Sequence, residues 1–463
     1  MGRGTISTVN YDNRGLPSSV SLSLSASVAT TNIAADTRNV AGLVTSRHTD
    51  IANSQIAFVE SNWTYDKLGR VKSQVVQNGP GPTQVARQDL VYFGNDDPKS
   101  LDHWLGTSNH KHYNYGFDWR HQLVSVGETL LPNAFTATYS YSAAGRFATA
   151  NESAAGLPNS DVRPRNVNYV YGGPDPEQVT KLTNVNGGAT AWAYAYGPTG
   201  NQILRCSGTI ANGTCAGADE TDYVYDGEDR LRRAVRKLSG SVQGTEEYWY
   251  DGHGNRNIVV KRDASGIKTE TIWFINDVEA HYDSSDNWLH SYSHVSMGTP
   301  VARVDTGTSQ MGTVEYQFHG LGNNTMAAVD QLTGAINASF NYAPFGEIVE
   351  ATDAGGSTSG LAAHRRRMND KFVDSISDLA YYGSRYYDKT SMTWTQCDPL
   401  YRFMPDHAWK QPRRANLYTS NQNNPLRYWD PDGRDPKLRH PLKSDRTQRG
   451  KFPAAERCGR TIS

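Results

Sequence analysis

The sequence predicts an all-β chain: one long, spiralling antiparallel sheet of stacked hairpins that curves into a hollow shell, followed by a compact C-terminal core. Three observations predict it. Tyrosine (26) and glycine (42) are abundant while hydrophobic residues are only 37%, which suits many short strands and turns in a thin, extended surface. A short word recurs along the chain, made of an aromatic residue, then Asp or Gly, a glycine-containing turn and a basic or polar residue. The residues flanking each word alternate, so that tyrosines two apart share one face.

Taken in order, the word stands at Tyr11-Asp12-Asn13-Arg14-Gly15, Tyr65-Asp66, Tyr92-Phe93-Gly94, Tyr115-Gly116-Phe117-Asp118, Tyr141-Ser142, Tyr171-Gly172, Tyr196-Gly197, Tyr225-Asp226 and Tyr250-Asp251. From Tyr65 onward the tyrosines are 27, 23, 26, 30, 25, 29 and 25 residues apart. The gap of 54 between Tyr11 and Tyr65 is two units with one word degraded. A second alternating segment follows each turn, such as Leu231-Arg232-Arg233-Ala234-Val235, so each unit reads as a hairpin. A single hairpin cannot bury its apolar face, whereas stacked hairpins pair their edges and align the tyrosines across strands.

After Tyr250 the words loosen to Trp273-Phe274-Ile275, His281-Tyr282-Asp283, Phe318-His319-Gly320 and Asn341-Tyr342-Ala343-Pro344, read as further hairpins. The organisation predicted is a repeat shell over 1–352, a Gly/Ser-rich and basic linker over 353–367, a core over 368–434 and a basic tail over 435–463. The run His364-Arg365-Arg366-Arg367 reads as a solvated turn, and His253 and His319 as exposed turn residues. From Arg434 to Ser463 there are nine Lys/Arg against three acids, and this stretch is not expected to fold by itself. Asp118 and Asp251 are expected to cap their turns.

Lys+Arg is 46 against Asp+Glu 47, so no global charge argues for nucleic acid. No apolar run is long enough for a membrane span, no secretory signal is visible, and the start reads as a cut from a longer chain. No cofactor or metal motif is present. Cys206 and Cys215 flank Asn212-Gly213, a hairpin-turn dipeptide, and either oxidise across that turn or remain two free thiols.

The chemistry concentrates near the C-terminus. Two carboxylates held close together cannot both ionise, so one activates water while the protonated one polarises a carbonyl. Asp398 and Asp430 are candidates for such an aspartyl peptidase pair, and a site beside its own chain would cut once. As Asp-Pro dipeptides, Asp398-Pro399 and Asp430-Pro431 also suit plain turns.

The ordered words Arg385-Tyr386-Tyr387-Asp388, Asp398-Pro399, Asn416-Leu417-Tyr418, Asn423-Asn424-Pro425 and Asp430-Pro431-Asp432-Gly433 resemble the core that closes RHS-repeat (YD-repeat) proteins, including toxin-complex C subunits and bacterial polymorphic toxins. The resemblance implies a hollow, cocoon-like β shell plugged at one end by the C-terminal core, whose aspartates, here Asp398 and Asp430, cleave the chain after Arg434, within Gly433-Arg434-Asp435. It implies release of a C-terminal cargo polypeptide inside the shell, with a second shell subunit or a secretion apparatus as partner. It also implies a protein that is secreted or delivered by such an apparatus. The sequence departs from the usual words at Lys389 in place of proline, Thr393 in place of arginine and Arg434 in place of leucine. The rival reading is a secreted or cell-surface interaction protein without catalysis.

Overall fold

The computed structural model describes residues 6–23, 31–53, 56–79, 83–130, 135–154, 160–162, 165–173, 175–307, 313–353, 361, 363–399, 406 and 415–438. Twenty-eight strands from Ile6–Tyr11 to Ile348–Asp353 form one antiparallel sheet in which each strand pairs with the next. The sheet is open: among the described residues, its first and last strands each have one neighbour.

The words make the turns. In Tyr65-Asp66-Lys67-Leu68-Gly69-Arg70 the Asp66 carboxylate accepts the backbone N–H groups of Leu68 and Arg70 at 2.8 and 3.0 Å. Asp118 does the same for Arg120 and Gln122, and Asp251 for His253 and Asn255, as expected. These carboxylates satisfy donors that a tight turn leaves without a ladder partner. Three residues after each Asp the chain enters the left-handed region, at Gly69 and Gly254 but also at His121 and Asp229, and Asp96 does the same three residues after Phe93.

Tyrosine has its own task. The pairing register shifts at the word's aromatic residue, for example between Thr64 and Tyr65 and between Trp249 and Tyr250. That bulge turns the hydroxyl toward the preceding hairpin. Tyr65, Tyr92, Tyr141 and Tyr250 donate to the carbonyls of Val44, Val71, Leu123 and Leu231, each the first residue of the strand leaving the previous turn. The degraded word is Arg38-Asn39-Val40-Ala41-Gly42. There Asn39 accepts the N–H groups of Ala41 and Leu43, and the Arg38 guanidinium takes the tyrosine's part by donating to Pro17 O at 3.0 Å. The fourth word is anchored on Phe117, two residues beyond Tyr115, because the strand runs to Phe117 and its turn is built on Asp118.

In such a meander alternate turns fall on alternate rims, so the turns after Tyr11 through Tyr250, and those after His319 and Tyr342, share one rim. Tyr282-Asp283 ends a strand running the other way and lies on the opposite rim, because an Asp-built turn works at either end of a hairpin.

Tyr139, Tyr169, Tyr194, Tyr223 and Tyr248, each two residues before a word's tyrosine, are buried, while Val170 and Val224 face outward. Among the described residues, early and late strands of the sheet meet. Val20, Ile33, Val59, Val76 and Val85 share an apolar cluster with Val301, Val304, Val314, Tyr316 and Val329. Gln74 Nε2 donates to His319 O, and Asn341 Nδ2 to the Tyr113 hydroxyl. Cys206 and Cys215 form a disulfide across the small hairpin that turns at Asn212-Gly213, with Cα atoms 5.5 Å apart.

Candidate functional site

The described residues of 363–438 have little regular structure, only two- and three-residue strands and single 3-10 turns, yet nearly half of them are buried. It lies across the rim that carries the words. Asn424 Nδ2 donates to His121 O at 2.6 Å, Asn423 Nδ2 to Gly145 O at 2.8 Å and Gln396 Nε2 to Asp229 O at 2.7 Å. The Tyr418 hydroxyl donates to Gly200 O at 2.7 Å, and Asn416 Nδ2 to Ala144 O at 2.8 Å. His121, Gly145, Gly200 and Asp229 are the left-handed residues of four turns. Their carbonyls point off the rim, and the amides and the phenol of the Asn416-Leu417-Tyr418 and Asn423-Asn424-Pro425 words take them up. Glycine is required at position 200, where φ is +84° and a Cβ would lie 2.8 Å from the Tyr418 hydroxyl.

Arg385-Tyr386-Tyr387-Asp388 forms the inner part of this contact. Asp388 accepts from Arg205 Nη1 at 3.1 Å and from the Thr390 N–H at 2.9 Å. Tyr386 shares a hydrogen bond with the Tyr250 hydroxyl at 2.8 Å, and Tyr387 donates to Phe345 O at 2.9 Å. Two of the sequence departures are locally explained. Lys389 pairs with Asp161 at 2.6 Å, and Arg434 Nε donates to Ser384 Oγ at 2.7 Å.

Arg385 is the hub. Its guanidinium is 2% exposed, lies over the Trp394 ring at 4.4 Å and reaches both candidate aspartates. Nη1 is 3.4 Å from Asp398 Oδ2 and Nη2 is 3.3 Å from Asp430 Oδ2. Nε donates to Gly433 O at 2.5 Å and Nη1 to Leu417 O at 3.3 Å. The two carboxylates are thus joined through a cation, which relieves the repulsion that would otherwise hold a proton on one of them. Asp430 is fully buried, and its Oδ1 accepts the N–H groups of Asp432, Gly433 and Arg434 at 3.3, 2.8 and 3.1 Å. Burial pushes its carboxyl above the ordinary value, against the pull of Arg385 and of those N–H groups. Asp398 is more open, with its side chain 18% exposed. Beyond the turn, Lys437–Leu438 pairs with Tyr428–Trp429, so residues 435–438 belong to a hairpin rather than to an unfolded tail. Residues 439–463 of the basic tail and 354–360 and 362 of the linker lie outside the described residues.

The run at 364–367 is not a solvated turn. His364 is buried against Glu315 at 3.0 Å, Arg365 Nε donates to Val373 O at 2.8 Å, and Arg366 Nε pairs with Glu279 at 2.9 Å. Glu315 and Glu279 stand on strands 313–319 and 278–282, so the basic run answers acids that face inward from the sheet. His319 likewise lies inside, with Nε2 3.3 Å from Thr325 Oγ1, whereas His253 is exposed as expected.

Three further groups escaped the sequence. Glu246 gathers the N–H groups of Ser375, Ile376 and Ser377, and Arg256 binds Asp374 through Nη1 at 2.9 and 2.8 Å. Burial raises the Asp374 carboxyl to about 6 even beside Arg256. Arg165 joins Glu152 and Glu347 beneath Thr390, and burial raises Glu347 to about 8. In sequence Glu246, Arg256, Glu152 and Arg165 were ordinary charges on alternating strands.

Fold and rim define a class: a spiralling wall of stacked YD-repeat hairpins, capped at one rim by a C-terminal segment. Solved structures share the fold. The chain is similar to the crystal structure of TcdB2-TccC3-Cdc42, with a TM-score of 0.72, 17% identity and 93% of this chain covered. It is similar also to the Tc holotoxin pore of Photorhabdus luminescens, with a TM-score of 0.72, 16% identity and 94% covered. A third is TcdB2-TccC3 without its hypervariable C-terminal region, with a TM-score of 0.63, 17% identity and 93% covered. The chain spans about a fifth of the length of those chains, 21%, 20% and 20% respectively. No family model and no curated protein matches the sequence. Among the described residues, no helix is long and apolar enough to cross a membrane.

Proposed function

We propose that this chain is part of the wall of a toxin-delivery shell that sequesters a C-terminal polypeptide, completed by a second shell subunit, and that its core cuts the chain once after Arg434. The protein would be secreted or delivered with its partner. Four units are assigned: the wall over 1–352, a connector over 353–367, the core over 368–434 and the start of the separate C-terminal region at Asp435. The likeness in fold to toxin-complex structures, one of them described as a complex without its hypervariable C-terminal region, supports the shell reading.

One observation carries the cleavage reading: a single buried guanidinium holds Asp398, Asp430 and the Gly433 carbonyl, one residue before the bond to be cut. Asp398, the more open carboxylate, takes a proton from water as the oxygen attacks the Arg434 carbonyl carbon. Asp430, whose burial favours its protonated form, supplies a hydrogen bond to the developing oxyanion. The C–N bond then breaks, the proton passes from Asp398 to the Asp435 amine, and Arg434 ends as a carboxylic acid. Overall one water is consumed per peptide bond.

Denaturing electrophoresis with mass measurement tests this. The wild-type chain should yield a product ending at Arg434, and Asp398→Asn and Asp430→Asn should each slow its formation by about 10³-fold or more. An intact wild-type chain would overturn the cleavage claim and favour a non-catalytic interaction protein.

A further inference from the structure

The turn that carries Asp430 up to the proposed cut is held from two parts of the chain. Its carbonyls are taken in succession: Pro431 O by Lys371 Nζ at 2.6 Å, Asp432 O by the Ser384 N–H at 3.0 Å and Gly433 O by Arg385 Nε at 2.5 Å. Ser384 and Arg385 are neighbours, whereas Lys371 comes from the stretch that ties the segment to the wall. Two residues before it, the Asn369 N–H donates to Asn324 Oδ1 at 2.8 Å and Asn369 Nδ2 to Gly322 O at 2.7 Å. Gly322 and Asn324 belong to the wall turn that follows His319. Lys371 therefore carries the position of a wall turn to the turn that is to be cut.

The lysine is itself held in place. Its Nζ lies 5.3 Å from the centre of the Tyr382 ring, and the Tyr382 hydroxyl donates to Asn369 Oδ1 at 2.9 Å. Burial holds the amine below its ordinary value; Arg366 pushes the same way, while Asp370, Asp430 and Asp432 oppose it. Asp430 in turn faces Arg385 and Asp432, with Asp398 on the far side of the guanidinium. A neutral amide could donate to Pro431 O with a smaller desolvation cost, so an ammonium at this place adds a charge to the hydrogen bond.

We infer that Lys371 is a positioning residue for the cut after Arg434, pinning the Pro431 carbonyl so that the turn from Asp430 to Arg434 stays seated on Arg385. The role presupposes that the cut occurs. Its charge leaves a second mark. With Asp430 acting in its protonated form, the rate falls at high pH as that proton is lost, and a nearby cation makes the loss easier.

Cleavage rates of Lys371→Met, Lys371→Gln and Lys371→Arg, followed across pH by denaturing electrophoresis, test this role. Methionine keeps an apolar stem over Tyr382 but neither donor nor charge, and should cut about tenfold more slowly. Glutamine keeps an N–H donor without the charge and should fall between methionine and the wild type. Arginine keeps both and should restore the rate to within about threefold. The high-pH limb should move up by about half a pH unit in the two neutral variants and stay in place in Lys371→Arg. A lysine that only helped the segment to fold would lower the thermal midpoint without moving that limb. Should Lys371→Met fail to fold, Lys371→Gln carries the same two readouts. A wild-type rate in the folded neutral variants would overturn the role of Lys371 alone, as would a slower rate with the limb unmoved. An uncut wild-type chain would instead overturn the cleavage itself, and this role with it.

Discussion

The repeat sheet and the C-terminal segment are built in opposite ways. In the sheet, each turn is made by residues within five positions of one another and faces water: Asp251 holds His253 and Asn255, all on the surface. In the segment, buried side chains meet partners far away in the chain. Arg256 finds Asp374, Asn424 finds His121, and Arg385 collects Leu417, Asp430 and Gly433. The sheet is a modular wall whose units tolerate change one at a time. The segment is a single polar network that holds only if most of it is in place.

Four measurements sharpen that contrast, beginning with the largest effect. Arg385→Ala strips the cation from two carboxylates in a dry site, and should destabilise the segment by about 3–5 kcal/mol. Hydrogen exchange should then rise at residues 428–438 and stay protected in strands such as 231–238; a uniform rise would refute separate stabilities for the two regions. Next is a pair of glycine substitutions. Gly200→Ala and Gly15→Ala both force alanine to positive φ, at a cost of about 1–2 kcal/mol, but a Cβ meets the Tyr418 hydroxyl at position 200 and nothing within 4 Å at position 15. The former should also loosen the C-terminal segment, as reported by proteolysis, and the latter should not.

Tyr250→Phe removes a hydroxyl that donates to Leu231 O and shares a bond with Tyr386, linking wall to core. A loss of about 1–2 kcal/mol in urea unfolding is expected, against less than half of that for Tyr141→Phe, whose hydroxyl donates to Leu123 O within the wall.

The smallest effect is in pH. Burial opposes ionisation of Glu315, but the His364 hydrogen bond and the charge on Arg303 bring its carboxyl down to about 2 from an ordinary 4.5. A depressed acid contributes stability that is present above its unfolded value and is lost as pH falls toward its folded value. The clasp between strand 313–319 and the 363–367 stretch should therefore weaken between about pH 4.5 and 2. Glu315→Gln should flatten that part of the stability profile; an unchanged profile would show that the acid side of the curve belongs to other groups.

How much was legible follows the same division. The aromatic, acidic and glycine words predicted the hairpins because the bonds they serve are local, and even the degraded word at Arg38-Asn39 makes the same turn with different atoms. The core words were visible as words, but not what Asn416, Tyr418 and Asn424 do, since nothing in an asparagine announces which carbonyl it will meet. The run His364-Arg365-Arg366-Arg367 was misread as solvated because its acids, Glu279 and Glu315, lie 87 and 49 residues away.

The sequence by itself determined the strands, the turns and their repetition, because those depend on period-two alternation and on side chains within reach of their own backbone. The tertiary structure alone decided that early strands lie on late ones, that the turn carbonyls form a row, and that one guanidinium sits between Asp398 and Asp430. Those relations are set by the coil of the whole sheet, which sums small twists over 28 strands and is written at no single position.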